Sequence, residues 1–215
     1  MDDSLDIVKA RRILNDLSEP ELDALLRGDL QLLDVEERPK QRPGATRRPT
    51  KSDAVADAIQ ALDEPERRQE LLAAVHCFFL RARAHKMMPW SLVTVDTDGS
   101  VKDDVLYDSG VFLDKVEGFL KDIGAYEVSL HWALQDGAVY ACFLLRDLLD
   151  IPRLHVHHAA YLVYCPGLPV LAACAGKPAI LVDLLGAVDR VLCVYDNNRV
   201  AVPRTTLTCA FQHVL

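Results

Sequence analysis

Six positive charges and no negative one fall within the fourteen residues Arg38 to Lys51, RPKQRPGATRRPTK, in a chain whose net charge is -8. Cationic side chains at this density can neutralise phosphates and release condensed counterions. The chemistry they suggest is therefore binding to an anionic polymer, nucleic acid first. Pro39, Pro43, Pro49 and Gly44 exclude a helix here, so the run reads either as an extended loop able to reach a partner or as a solvated surface loop whose charge is incidental. Arg42, Arg47, Arg48 and Lys51 are its candidate phosphate contacts. Lys9, Arg11 and Arg12 on the first helix extend the patch, and each also reads simply as part of an exposed helix face. The acidic remainder excludes nonspecific coating of DNA, so any contact must be local.

A second group is acidic. Asp2, Asp3 and Asp6 stand before or within the first helical turn. There they either compensate the helix dipole or form an acidic finger that pairs with arginine on a basic partner. An acidic tip beside a basic loop suits a partner carrying both signs, such as DNA wrapped on histones.

The remaining reactive side chains point to no reaction. In His155-Val156-His157-His158, a strand would turn His155 and His157 the same way. No carboxylate or Cys stands at ligand spacing nearby, so they read as satisfied or exposed strand histidines, and no metal is expected. The six cysteines, Cys77, Cys142, Cys165, Cys174, Cys193 and Cys209, each sit in an apolar stretch without a C-x-x-C pair. They read as reduced, buried thiols of an intracellular protein. There is no G-x-S-x-G, P-loop, G-x-G-x-x-G or H-E-x-x-H. The expectation is a protein that is not an enzyme, with no catalytic residues, cofactor or small-molecule substrate. A thiol or metal enzyme is the remote alternative. No run of about 18 uncharged apolar residues suggests a membrane span. The start, MDDSLDIVK, lacks the apolar region of a secretory signal.

The elements that must position these groups change character along the chain. Residues 1 to about 123 read as helices. Ile7, Ala10, Leu14 and Leu17 share a face. Ser18-Glu19-Pro20-Glu21 is a capping box opening a helix through Leu22, Leu25 and Leu26, which Gly28 ends. Leu30, Leu32 and Leu33 suggest one further helical turn. Ser52 is expected to cap the next helix, and Pro65 opens the longest one, with Leu71, Leu72, Val75, Phe78, Phe79 and Ala82 as its stripe and Arg81, Arg83, His85 and Lys86 at its far end. Another helix spans Gly110 to Ile123. The period then becomes two. Tyr126 to Gln135 reads as a half-buried strand joined through Asp136-Gly137 to Val139–Arg146 as a hairpin. Further strands are expected at 155–165, 169–174, 190–195 and 205–214, with a helix over 178–188. The fold class is therefore α+β: a helical bundle over residues 1–90 carrying the basic loop 38–51, then an α+β domain over 91–215 with a mostly antiparallel sheet.

This ordered series resembles the N-terminal region of the centromere protein N family, a subunit of the inner kinetochore. The carrying segments are MDDSLDIVKARRIL, EPELDALL, RRPTKSDAVADAI, FFLRARAHKMMPW, YDSGVFLDKVEGFL, AAYLVYC and GAVDRVLCVYD. The resemblance implies a pyrin-like bundle joined to an α+β domain, the two forming a groove for nucleosomal DNA. It also implies that Asp3 and Asp6 read the centromere-specific histone. Lys9 or Arg11, Lys51, and Arg83 or Lys86 would take DNA-contacting roles. The implied partners are the centromeric nucleosome and other inner-kinetochore subunits such as centromere protein L, whose pairing region in relatives is expected to lie outside this chain. The implied location is the nucleus, at the centromere and kinetochore. The chain departs from the family in a longer, proline-rich loop, in lacking paired arginines near Asp183-Leu184-Leu185, and in its acidic balance.

Overall fold

The computed structural model describes residues 4–31, 50–84, 90–94, 108–123, 126–148, 157–166, 168, 170–192 and 199–202. Four helices come first: α1 (Ser4–Asn15), α2 (Glu19–Arg27), α3 (Lys51–Gln60) and α4 (Pro65–Arg83). The spacing of Ile7, Ala10 and Leu14 gives α1 a single apolar stripe, and all three are buried with Leu17. In α2, Pro20 occupies the first turn, where its missing N–H costs nothing, and the Glu21 carboxylate accepts from the Ser18 backbone N–H at 2.7 Å.

The expected cap of α3 is corrected. Thr50, not Ser52, is the N-cap: its hydroxyl accepts from Asp53 N–H at 3.2 Å, and the Asp53 carboxylate accepts from Thr50 N–H at 3.0 Å. The reciprocal pair needs an acid or amide three residues on, and Ser52 has Val55 there. Ser52 instead is buried inside the helix and donates its hydroxyl to the Leu14 carbonyl at 3.1 Å.

Trp90–Thr94, within the stretch read as helical, is strand β1. Then come α5 (Ser109–Asp122), capped by Asp108, β2 (Tyr126–Gln135), β3 (Ala138–Asp147), β4 (His157–Tyr164), β5 (Val170–Ala175), α6 (Pro178–Leu192) and β6 (Arg199–Val202). The β2–β3 turn places Asp136 at φ 52° and Gly137 at φ 78°. This is the left-handed pair that a two-residue hairpin loop needs and that Asp-Gly adopts readily. The strand expected at 190–195 is corrected through Leu192: α6 continues because Ile180, Leu184, Val188 and Leu192 keep helical spacing and are all buried. Residues 193–195 and the strand expected at 205–214 lie outside the described residues.

The six strands run in the order β2-β3-β4-β5-β1-β6, and every pairing is antiparallel. The fold is α+β, with N-terminal helices preceding the sheet. Alternation along each strand feeds two cores. Cys142, Leu144, Tyr161, Val163, Ala172 and Cys174 pack with α1 to α4, whereas Phe143, Leu145, Leu162, Leu171 and Ala173 pack with α5 and α6. The sheet is thus the middle of three layers. The first helices share a core with it, so residue 90 marks a change of secondary structure within continuous packing.

Candidate functional site

The acidic candidate Asp6 is buried at 7% exposure. Its carboxylate accepts from His157 Nδ1 at 2.6 Å and from the His157 backbone N–H at 3.2 Å, and it lies 3.4 Å from Lys9 Nζ. Burial is the largest influence on this carboxyl and pushes its pKa up. The hydrogen bonds and charge of His157, with the charge of Lys9, outweigh burial and hold the pKa below its ordinary value. Lys9 also donates to the His157 carbonyl at 2.8 Å. Asp6 and Lys9 together therefore clamp α1 to the start of β4. In this arrangement Asp6 presents no free carboxylate to a histone. Asp3 lies outside the described residues.

The described cationic candidates are likewise engaged. Arg11 on α1 donates to Asp57 at 2.7 Å and lies 3.5 Å from Asp53, both on α3. Lys51, opening α3, pairs with Asp23 on α2. Arg83, ending α4, pairs through both terminal nitrogens with Glu21 on α2, one of the contacts at 2.7 Å. Arg83, then Ser18, hold the Glu21 carboxyl down at about 2, and the Lys51 hydrogen bond lowers that of Asp23. Arg11, Lys51 and Arg83 are thus linked through α2 and α3 into one belt of alternating charge, while Lys9 faces the sheet. The belt contains as much carboxylate as cation and lacks the one-signed field that draws in a polyanion. Arg42, Arg47, Arg48 and Lys86 lie outside the described residues.

The histidine and cysteine candidates show structural chemistry. His157 is the Asp6 partner, and His155 lies outside the described residues. Among the described residues no three His, Cys, Asp or Glu side chains gather to hold a metal. Burial pushes the Cys77 thiol up to about 12 and Cys174 up to about 11, and raises Cys142 well above its ordinary value. Such thiols yield little nucleophilic thiolate near neutrality. His76 Nδ1 stands 2.8 Å from the Tyr161 hydroxyl. Burial, then the charge of Lys9, hold this imidazole down at about 4, and burial raises the Tyr161 phenol well above its usual range. The pair is a neutral hydrogen bond under α4.

Sequence reasoning missed a groove of about 710 Å³ between α4, α5 and β2. Glu66, Gln69 and Glu70 come from α4, Asp114, Glu117 and Lys121 from α5, and the β2 residues from Tyr126 to Leu130, with Trp132, form the floor. The half-buried face expected of β2 holds only near its start: Val128 is buried, whereas Trp132 and Leu134 are exposed, and a helix meets each face over part of the strand. Ser129 donates to Gln69 of α4 at 3.2 Å, while Val128 and Leu130 pack toward α5. One signal for the groove was present: YEVSLHWALQ contains no Lys, Arg or Pro, the residues that usually guard an exposed strand edge.

No protein-family model matches the chain, and no curated protein matches it in sequence. Among solved structures it is similar to the adenosylmethionine decarboxylase of Aquifex aeolicus VF5, with a TM-score of 0.34 and 13% identity over 54% of this chain and 87% of that one. A likeness at that level carries no statement about function.

Proposed function

We propose that this chain is a non-enzymatic adaptor of the inner kinetochore, which binds centromeric nucleosomes in the nucleus and links them to other kinetochore subunits, centromere protein L among them. The observation that carries the reading is the segregation of charge. Each described candidate cation already faces a carboxylate, whereas Arg38 to Lys51 has six cations and no acid within it. Phosphate contact therefore rests first on Arg42, Arg47 and Arg48, with Lys51 joining by exchanging Asp23 for a phosphate. The kinetochore assignment is supported by the resemblance of the ordered series of segments to the centromere protein N family. Phosphate contacts give position, and histone choice must come from protein contacts beyond the buried Asp6.

A gel shift with reconstituted centromeric nucleosomes at several salt concentrations tests this. With four phosphate contacts, log K falls against log salt with a slope of roughly -3 to -4. Replacing Arg42, Arg47 and Arg48 with Ala should flatten that slope by about 3. Undiminished binding by the triple variant ends the phosphate role. The charge belt favours a second reading, a kinetochore protein scaffold with no direct DNA contact. That reading expects capture of kinetochore subunits from nuclease-treated extract, equally by wild type and triple variant.

A further inference from the structure

Among the described residues β2 is an edge strand: its ten residues pair with β3 on one side and with no strand on the other. In an antiparallel pair alternate residues turn their N–H and C=O groups away from the partner, so the outer edge of β2 offers a row of donors and acceptors. The groove described above lies against this strand, with α4 as one wall and α5 as the other. We propose that it is a docking site for an extended, basic peptide segment of another protein, taken up as an added strand alongside β2.

Three features specify that occupant. The walls and floor carry five carboxylates, Glu66, Glu70, Asp114, Glu117 and Glu127, against the single ammonium of Lys121. Arg67, Arg146 and Lys121 engage Glu70, Glu127 and Glu117, which leaves Glu66 and Asp114, one on each wall and both exposed, without a cationic partner among the described residues. A basic strand meets complementary charge on both sides, whereas a second copy docking β2 to β2 would bring two acidic walls together. The second feature is Gln69, nine-tenths buried in the groove. Its carbonyl takes the Ser129 hydroxyl, and its amide NH2 has no hydrogen-bond partner among the described residues. A donor held in this way suits a peptide carbonyl. The third is Trp132, 38% exposed on the floor, an aromatic face on which a Lys or Arg side chain can lie. Strand addition derives affinity from main-chain hydrogen bonds and specificity from the flanking side chains, and both are present here.

The test uses the purified chain and an N-acetylated ten-residue peptide of alternating Lys and Val. Binding is followed by Trp132 fluorescence, since the only other tryptophan, Trp90, is fully buried. Saturable one-to-one binding that weakens with salt is expected. Joint replacement Glu66→Lys and Asp114→Lys should weaken it at least about tenfold, and N-methylation of alternate peptide amides on the docking edge should abolish it. Asp16→Lys with Glu19→Lys, the same charge change at a distant corner, should weaken it less than about threefold. Equal loss in that distant variant, equal affinity for the N-methylated peptide, or equal affinity for a Glu–Val peptide would each overturn the proposal. So would a dimer through β2 that excludes the peptide. No nucleosome enters the experiment, so its outcome is independent of the DNA reading.

Discussion

The two faces of the sheet are built on different principles. Every described buried polar or charged residue, namely Asp6, Ser52, Gln69 and His157, belongs to the layer shared with α1 to α4, as do the His76–Tyr161 pair and the Arg81–Asp29–His131 cluster. Asp29 resembles Asp6: burial pushes its carboxyl up most strongly, but His131 and Arg81 outweigh it and the pKa is lowered. The opposite layer, under α5 and α6, is filled by Phe112, Phe143, Leu162, Leu184 and their neighbours, with Phe112 edge-on to Tyr164 at 5.1 Å. A polar contact has one acceptable geometry, and an unpaired buried group is costly. The N-terminal helices are therefore held at a specified position on the sheet, whereas the C-terminal layer is held by volume and shape.

That contrast can be broken in order of effect. Phe143→Ala on the apolar face removes a fully buried ring and should cost about 3–5 kcal/mol in urea unfolding; less than about 1 kcal/mol would mean that this face is not close-packed. Asp6→Ala should cost about 3 kcal/mol, because it strands His157 in the interior. The double variant Asp6→Ala with His157→Leu should cost less than the sum of the two single changes, whereas additive costs would deny the coupling.

A smaller effect appears with pH. The His76 imidazole is near 6.5 when unfolded and about 4 when folded, so the unfolded chain binds the extra proton first. The contribution of His76 is complete above pH 6.5 and is lost progressively as pH falls toward 4, by about 1–3 kcal/mol. Asp6 and Asp29 have lowered folded values, so their contributions stand above the ordinary carboxylate range and fade only at more acid pH. His76→Gln, which keeps a partner for Tyr161, should flatten stability between pH 6.5 and 4. An unchanged slope would assign the titration elsewhere. Least of all, Leu134→Ser at a position 62% exposed should change stability by no more than about 0.5 kcal/mol.

Much of the fold was legible because it is local. Pro65 fixed the start of α4, Asp136-Gly137 fixed the hairpin, and the switch from a 3.6 to a 2 period marked the sheet. What failed was non-local. The segment Trp90–Thr94 is too short to show a period and becomes a strand only between β5 and β6, more than seventy residues away. The run 190–195, Arg-Val-Leu-Cys-Val-Tyr, has the apolar and β-branched content of a strand, yet its first three residues continue α6, where Leu192 is buried. The site was less legible than the fold. Charge type was visible at Arg11, Lys51 and Arg83, but their counter-ions Asp57, Asp23 and Glu21 come from other helices. Asp6 meets His157 across 151 residues of chain. The groove joins α4, α5 and β2, three elements whose individual patterns report only what each one buries.

The position of β1 bears on how the protein is made. Trp90–Thr94 leaves the ribosome roughly eighty residues before β5, its first strand neighbour, and at 5–20 residues per second that interval is about 4–16 s. During it the helices can close on one another and β2 to β4 can zip up as sequential neighbours, but the slot for β1 does not yet exist. The nascent chain must carry a strand without either of its neighbours for seconds, with its tryptophan able to pack only against the helices made before it, a window in which a holdase chaperone would find its natural client.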